Sequence, residues 1–167
     1  HACAYIPVQV LGCIAGAVVA NLMFDLSPIS ISTNHWASPS HLFSEVVATL
    51  GLLLVIFALA RSRRGNLAPA AVGAYIGAAY FFTSSTSFAN PSVTVARTLS
   101  NTFAGIAPSS APMFIAMQLV GATIAFALRS REATAMQVLS TLSAAMRQNL
   151  PLHSAVAAAA HGRGDAA

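Results

Sequence analysis

Four apolar segments, each close to the length that a helix needs to cross a bilayer, constrain this sequence more than any other feature. The chain of 167 residues is 56% hydrophobic and 7% charged, whereas soluble domains carry about 25% charged residues. Most of its surface therefore cannot be hydrated, and the sequence predicts an all-α membrane protein. The predicted spans are residues 5–24, 43–60, 67–83 and 112–128, and the lipid bilayer is their expected environment.

The arginines indicate how these spans are oriented. All eight basic residues are arginine, and they flank apolar segments without forming a broad basic face, so nucleic-acid binding is not expected. Arg61–Arg64 and the pair Arg129 and Arg131 are expected on the cytoplasmic side. Residues 25–42 contain neither Arg nor Lys and are expected outside.

The transmembrane domain is predicted to cover residues 1–130, followed by a cytoplasmic tail over residues 131–167. An amphipathic helix is predicted in the tail near residues 136–146, and the Ala/Gly-rich end is expected to be partly disordered. The sequence begins almost inside its first span, without an initiator methionine or a charged leader. We therefore expect the true N-terminus to be missing.

A short helix is predicted between the third and fourth spans, over residues 91–102. Asn90 is a good N-cap, and Pro91 suits the first helical position because no backbone N–H is needed there. Such a helix is about 16–18 Å long, roughly half of a ~30 Å hydrocarbon core. Residues 84–89, if extended, reach about 20 Å. These lengths predict a re-entrant segment that places Asn90 at mid-membrane depth.

The chemistry of this segment suits a passive pore. The Asn90 amide can donate to a permeating oxygen, and the helix N-terminus adds about half a positive charge, which together orient a neutral solute and oppose cations and protons. The carbonyl groups of Ser87, Phe88 and Ala89 have no helical partners, so they are expected to line water or protein. The alternative is a capping asparagine in a plain loop.

Residues 87–92, Ser-Phe-Ala-Asn-Pro-Ser, resemble the second Asn-Pro-Ala loop of the aquaporin and aquaglyceroporin (major intrinsic protein) channels. The sequence Tyr5-Ile6-Pro7-x-Gln9-x-x-Gly12-x-x-x-Gly16 is similar to the third span of that family, and Glu45 with Thr49 is similar to the start of its fourth. The resemblance covers about residues 5–128. Residues 79–106 most resemble the bacterial branch associated with arsenic-resistance loci.

The resemblance assigns the Asn-Pro-Ala motif to Asn90, Pro91 and Ser92. It also implies a selectivity filter, which is formed by Val93, Ser87 and either Tyr80 or Ala78.

In the water-selective members an arginine follows the motif, whereas this sequence has Val93 there. The resemblance therefore implies a wider, less polar constriction that passes water and small uncharged solutes such as glycerol and neutral metalloid acids (arsenite). Arg97, one turn further along, is expected to guard the outer vestibule or to snorkel.

Two polar residues within the spans are assigned to the scaffold. By resemblance, Glu45 accepts hydrogen bonds from the backbone of the re-entrant loop. Gln9 is the one strongly polar side chain of the first span, and it is expected to face the bundle. His35 and His41 are interpreted as solvated loop histidines, and no metal or other cofactor is expected.

The family fold has six spans and two half-helices, so this sequence resembles an incomplete copy with four spans and one half-helix. The resemblance further implies a homotetramer in a bacterial inner membrane.

Three other functions compete with a channel for this sequence. A secondary transporter with a broken helix normally needs buried coupling carboxylates, and Glu45 is the only one within a predicted span. An intramembrane hydrolase is not favoured, because no histidine lies within a span to activate a serine. A non-conducting fragment remains open, and an enzyme is not predicted.

Overall fold

The computed structural model describes residues 2–147, and the regular secondary structure of these residues is entirely helical. The helices in chain order are α1 (Ala2–Met23), α2 (Pro39–Arg61), a short 3-10 helix (Gly65–Leu67), α3 (Ala68–Phe82), α4 (Pro91–Arg97) and α5 (Ala111–Arg147). The predicted all-α architecture is therefore confirmed.

Three of the described helices are long and apolar enough to cross a membrane, namely Ala4–Met23, Pro39–Arg61 and Ala111–Gln137. They contain most or all of the first, second and fourth predicted spans. The third predicted span is also helical, but α3 has 15 residues and extends only about 22 Å. It is thus shorter than a ~30 Å hydrocarbon core, and the 3-10 helix directly before it lengthens the segment by three residues.

Helix α2 begins at Pro39, four residues before the predicted start of its span. The Ser38 side chain accepts a hydrogen bond from the backbone N–H of His41, and Pro39 occupies the first helical turn. Proline is favoured there because its fixed φ suits a helix and its missing N–H would have had no partner. Pro39, which lies in the stretch 25–42 that was expected outside the membrane, therefore begins the helix.

Helix α4 ends at Arg97, whereas the sequence predicted a helix to residue 102. The carbonyl groups that a longer helix would need are bonded elsewhere. Arg97 O accepts from Ile106 N at 3.2 Å, Thr98 O from Ser32 N at 3.0 Å and Leu99 O from Ser30 N at 3.0 Å. These bonds from the connection before α2 and the connection before α5 stop the helix after seven residues, a length of about 10 Å.

The connection between α1 and α2 is joined to the segment after α4 by further polar contacts. Asn21, which is 2% exposed at the end of α1, donates to the carbonyls of Pro28 and Leu99, both at 3.1 Å. The hydroxyl of Ser100 donates to Asn21 Oδ1 at 2.6 Å. The Asn34 side chain donates to Thr102 O at 2.7 Å. These bonds fix the C-terminal end of α4 beside α1.

The buried apolar core lies where the segment before α4 meets the start of α5. The rings of Phe88 and Phe114 pack with centroids 5.8 Å apart and tilted by 51°, and Ile106 completes the cluster. Partly buried apolar side chains pack around it: Trp36, Leu42 and Val93. The cluster therefore anchors the predicted re-entrant segment on its apolar side.

Small residues let α2 approach its neighbours closely. The Tyr75 ring of α3 lies directly against Gly51, and its hydroxyl donates to Ala48 O at 3.0 Å. On the α5 side, a Cβ atom on Gly121 would lie 2.6 Å from Val46 O and 3.1 Å from Thr49 Cβ. Gly121 needs to be glycine because an added methyl group would meet the α2 backbone, whereas at Gly51 it would meet the end of the Tyr75 side chain.

The chain divides between Ala125 and Phe126 into two compact units. The described part of the second unit is the continuation of α5 to Arg147. The sequence predicted the end of a span near residue 128 and a separate helix near residues 136–146, whereas the structure has one uninterrupted helix. The rest of the predicted tail, residues 148–167, lies outside the described residues.

We expect Gly121→Ala to destabilise the protein by about 1–3 kcal/mol, because the added methyl group meets the α2 backbone, which cannot move independently. Gly73→Ala is the matched control, since nothing lies within 4 Å of the Cβ that it would add. Thermal unfolding in a mild detergent, followed by Trp36 fluorescence, measures both variants. Equal unfolding temperatures for the two variants would contradict the close α2–α5 contact.

Candidate functional site

The buried carboxylate of Glu45 organises the segment between α3 and α4. Glu45 is fully buried, about 9 Å along α2 from Pro39. Its Oε1 accepts from Ser85 Oγ at 2.6 Å and from Phe88 N at 3.0 Å. Its Oε2 accepts from Ala89 N at 3.0 Å. The backbone before α4 is therefore held by a side chain of α2, which is the scaffold contact that the resemblance assigned to Glu45.

The segment 84–89 is coiled, whereas the estimate of its reach treated it as extended. Thr86, Ser87 and Ala89 have φ values of 60°, 53° and 49°, in the left-handed region that non-glycine residues rarely adopt. These turns direct the N–H groups of Phe88 and Ala89 toward Glu45. The strained conformation is thus maintained by the hydrogen bonds that it makes possible.

The carbonyl groups of this segment differ from its N–H groups. No donor of residues 2–147 contacts the carbonyl oxygen of Ser87, Phe88 or Ala89. All three residues, backbone included, are at most 7% exposed, so these oxygens are buried acceptors that no donor of the described residues fills. They are available to accept from water or from a solute.

Asn90 caps α4 with one end of its amide and leaves the other end available. Its Oδ1 accepts from the backbone N–H of Ser92 at 2.8 Å, and Pro91 occupies the first helical turn. The amide is therefore fixed by its oxygen. No acceptor within the described part of the chain contacts Nδ2, so this nitrogen presents two free donors.

Gln118 completes the contacts of Glu45, and the sequence analysis did not single it out. It lies on α5, is 1% exposed, and donates from Nε2 to Glu45 Oε2 at 2.7 Å and to Thr94 Oγ1 at 2.8 Å. Glu45 thereby accepts from four donors, the full capacity of a carboxylate. The available signal was that Gln118 is the one strongly polar side chain of its span, the same signal that drew attention to Gln9.

Three buried oxygens around this network have no protein partner among the described residues: Thr49 Oγ1, Thr86 Oγ1 and Gln118 Oε1. Buried polar atoms of this kind are usually satisfied by ordered water. Thr49 lies one turn after Glu45 on α2, and Thr86 follows Ser85, so the polar region extends behind the re-entrant segment.

The predicted filter residues occupy different surroundings. Ser87 is 2% exposed, and its hydroxyl is hydrogen-bonded to that of Thr83. Val93 is half-buried against the Phe88 cluster. Tyr80 is 40% exposed on α3, and Ala78 is also exposed. The described residues thus bring Ser87 and Val93 close to the Glu45 network, and Tyr80 makes no hydrogen bond to that network.

Gln9 is half-buried on α1 and takes no part in the Glu45 network. Arg97 is half-buried at the end of α4.

The histidines of the connection before α2 share one open cavity of about 620 Å³. His41 differs from the predicted solvated loop residue, because it lies in the first turn of α2, half-buried against Trp36 at 4.8 Å between ring centroids. His35 is exposed, with Nδ1 3.4 Å from Ser109 Oγ. Among the described residues no group of three or more His, Cys, Asp or Glu side chains is placed to hold a metal ion.

Comparison with known proteins decides the family. The model of the major intrinsic protein family matches residues 1–89, more than half of the chain. The chain belongs to the major intrinsic protein family. It is 49% identical over 125 residues to the aquaglyceroporin AqpS of Rhizobium meliloti (strain 1021), an alignment that covers 75% of this chain and 53% of that protein. The chain thus spans about half the length of this curated relative. No solved structure matches it.

Membership confirms the resemblance to aquaporins and aquaglyceroporins, and it makes this chain an integral membrane protein. Major intrinsic proteins are channels and not enzymes. The match of the family model ends one residue before Asn90. The geometry of α4 and its cap is therefore an observation independent of that match.

We expect Glu45→Gln to loosen the re-entrant segment, because an amide N–H₂ would replace one acceptor oxygen and leave buried donors unpaired, at about 1–3 kcal/mol for each donor. Hydrogen exchange of the Phe88 and Ala89 amides in detergent micelles should become about 10- to 100-fold faster. Asp25→Asn is the control, since it removes the same charge at an exposed loop position whose φ of 56° suits asparagine. Unchanged exchange in the Glu45 variant would show that the carboxylate does not hold the segment.

Proposed function

We propose that this chain forms part of a passive channel for water and small uncharged solutes, with the segment 85–97 along the permeation path. One observation carries this proposal: the Asn90 amide is fixed by its oxygen, while neither of its N–H donors meets an acceptor among residues 2–147. An asparagine that served only as a helix cap would not need this second end. In a pore, the free end donates to the oxygen of a passing solute.

The surroundings of Asn90 support an uncharged solute. The carbonyls of Ser87, Phe88 and Ala89, which no donor of residues 2–147 contacts, are the proposed acceptors that precede the Asn90 donors in the chain. Such donors and acceptors together replace the hydration of a neutral polar molecule. The Glu45 carboxylate, which accepts from the N–H of the residue before Asn90, is fully buried and occupied by four donors. It therefore offers no free acceptor to attract a cation.

Val93 favours solutes larger than water. We take Val93 as a filter residue, as the family resemblance implies, and a valine adds neither charge nor hydrogen-bonding capacity to a constriction. The match to a protein named aquaglyceroporin agrees with this assignment. We propose glycerol and neutral metalloid acids such as arsenite as candidate solutes in addition to water.

The membrane arrangement follows from the charges and from the family. We propose a bacterial inner membrane, with the connection 24–38 outside and the residues after Arg131 in the cytoplasm. Asn90 would then lie near the middle of the bilayer. A homotetramer is the proposed assembly.

The proposal is tested by reconstituting the chain in liposomes and following water, glycerol and neutral arsenite by stopped-flow light scattering. A channel gives flux above that of empty liposomes, without saturation and unaffected by proton or sodium gradients. Saturable uptake that responds to a gradient would support a transporter instead. Absence of flux for all three solutes would contradict the proposal for this chain.

Asn90→Asp separates the capping role of the side-chain oxygen from the proposed donor role of the side-chain nitrogen. Aspartate caps a helix as well as asparagine does, so α4 is expected to stay intact, while the loss of both Nδ2 donors should lower solute flux by about tenfold or more. Asn90→Ala, which removes the cap as well, should reduce both flux and stability. Wild-type flux in Asn90→Asp would show that Asn90 acts only as a cap.

Val93→Arg tests the filter assignment. The guanidinium would narrow the path and offer donors to water, so we expect glycerol flux to fall by about tenfold relative to water flux. Val93→Leu serves as the control, because it keeps the apolar contact with Phe88 and adds only one methylene. An unchanged ratio of glycerol to water flux in the arginine variant would place the filter elsewhere.

A further inference from the structure

Gln118 connects the two halves of the segment that carries Asn90. From α5 it donates to Glu45 Oε2, which also accepts from the N–H of Ala89, the residue directly before Asn90. The same nitrogen donates to Thr94 Oγ1, one turn after Asn90. One amide group therefore contacts the network on both sides of the asparagine.

The direction of these hydrogen bonds is fixed. The Thr94 hydroxyl donates to the Asn90 carbonyl at 3.0 Å, so its oxygen is left to accept from Gln118. A rotated Gln118 amide would place Oε1 against the Glu45 carboxylate, with two acceptors facing each other. The chain of donors therefore runs from Gln118 through Thr94 to the backbone of Asn90, and both protons of Nε2 are used.

This arrangement connects the backbone of Asn90, through Thr94, to the long helix α5. Helix α4 has seven residues and is too short to be rigid by itself. Gln118 is 1% exposed, and its backbone belongs to α5, which lies directly against α2 at Gly121. The position of the Asn90 backbone is thereby fixed relative to α5 as well as to α2.

We propose that Gln118 is the positioning residue for Asn90, which sets where the two free Nδ2 donors point and hence which solutes the path accepts. The inference rests on the proposed channel function. Gln118 does not touch the solute; it acts through Glu45 and Thr94. A purely structural role would instead make Gln118 a buried polar contact that affects stability but not the choice of solute.

The test is a double-mutant cycle of Gln118→Met and Thr94→Val in liposomes, with the ratio of glycerol to water permeability as the measurement. Each variant removes one link between α5 and the Asn90 backbone while keeping a similar side-chain volume. We expect each to change the ratio by about fivefold or more, and the double variant to change it no further than the larger single change, since both belong to one chain of bonds. Thr123→Val is the control, because within residues 2–147 the Thr123 hydroxyl bonds only to Leu119 O of its own helix.

Thermal unfolding of the same samples separates positioning from stability. A lower unfolding temperature with the wild-type permeability ratio in both single variants would overturn the inference and assign Gln118 to the scaffold. If Gln118→Met does not fold, Thr94→Val carries the test, because it leaves the Gln118–Glu45 contact in place. Absence of flux through the wild-type chain would overturn the channel proposal and this inference with it. If the wild-type chain conducts but the variants keep its ratio of glycerol to water permeability, this inference alone is overturned.

Discussion

The acceptance of four hydrogen bonds by Glu45 is the interaction on which the rest of the site depends. A carboxylate removed from water needs all of its acceptor positions filled, and backbone N–H groups without helical partners need acceptors. At Phe88 and Ala89 the backbone N–H groups donate to the Glu45 carboxylate, so the carboxylate gains donors and the N–H groups gain an acceptor. The left-handed conformations nearby cost about 1–3 kcal/mol each. Hydrogen bonds to a charged group, which are stronger than neutral ones, offset that cost.

The same interaction separates the two sides of the segment before α4. Its N–H groups face the protein, toward α2, whereas its carbonyl oxygens have no protein donor among residues 2–147. In a regular helix or strand, both the N–H groups and the carbonyl groups would be paired, either within the helix or with a neighbouring strand. At Phe88 and Ala89 the coil pairs its N–H groups with Glu45 and leaves its carbonyl oxygens without a donor among residues 2–147. The buried rings of Phe88 and Phe114 fix its apolar contacts.

The features that the sequence predicted well are those decided by composition or by near neighbours. Long apolar segments with few charges have only one stable environment, so the helices around 5–24 and 43–60 were predictable from hydropathy. The cap at Asn90 involves Ser92, two residues away, and proline is favoured at the first helical position that Pro91 occupies. Features that depend on only a few consecutive residues can be predicted without knowing the fold.

The features that were missed depend on distant residues. The end of α4 is set by Ser30 and Ser32, far before it in the chain. Gln118 acquires its role from partners 73 and 24 positions away, a pairing that no local pattern contains. Roles at Tyr80 and Gln9 stay predictions, since neither side chain joins the network around Glu45.

The span of 73 positions between Glu45 and Gln118 has a consequence for biosynthesis. During insertion, the segment before α4 emerges when α2 is already in the bilayer but α5 is not yet synthesised. Glu45 then lacks one of its four donors, and the two-turn α4 lacks its contact through Thr94. We infer that this segment reaches its final conformation only after α5 enters the membrane, as the last step in which preformed helices associate.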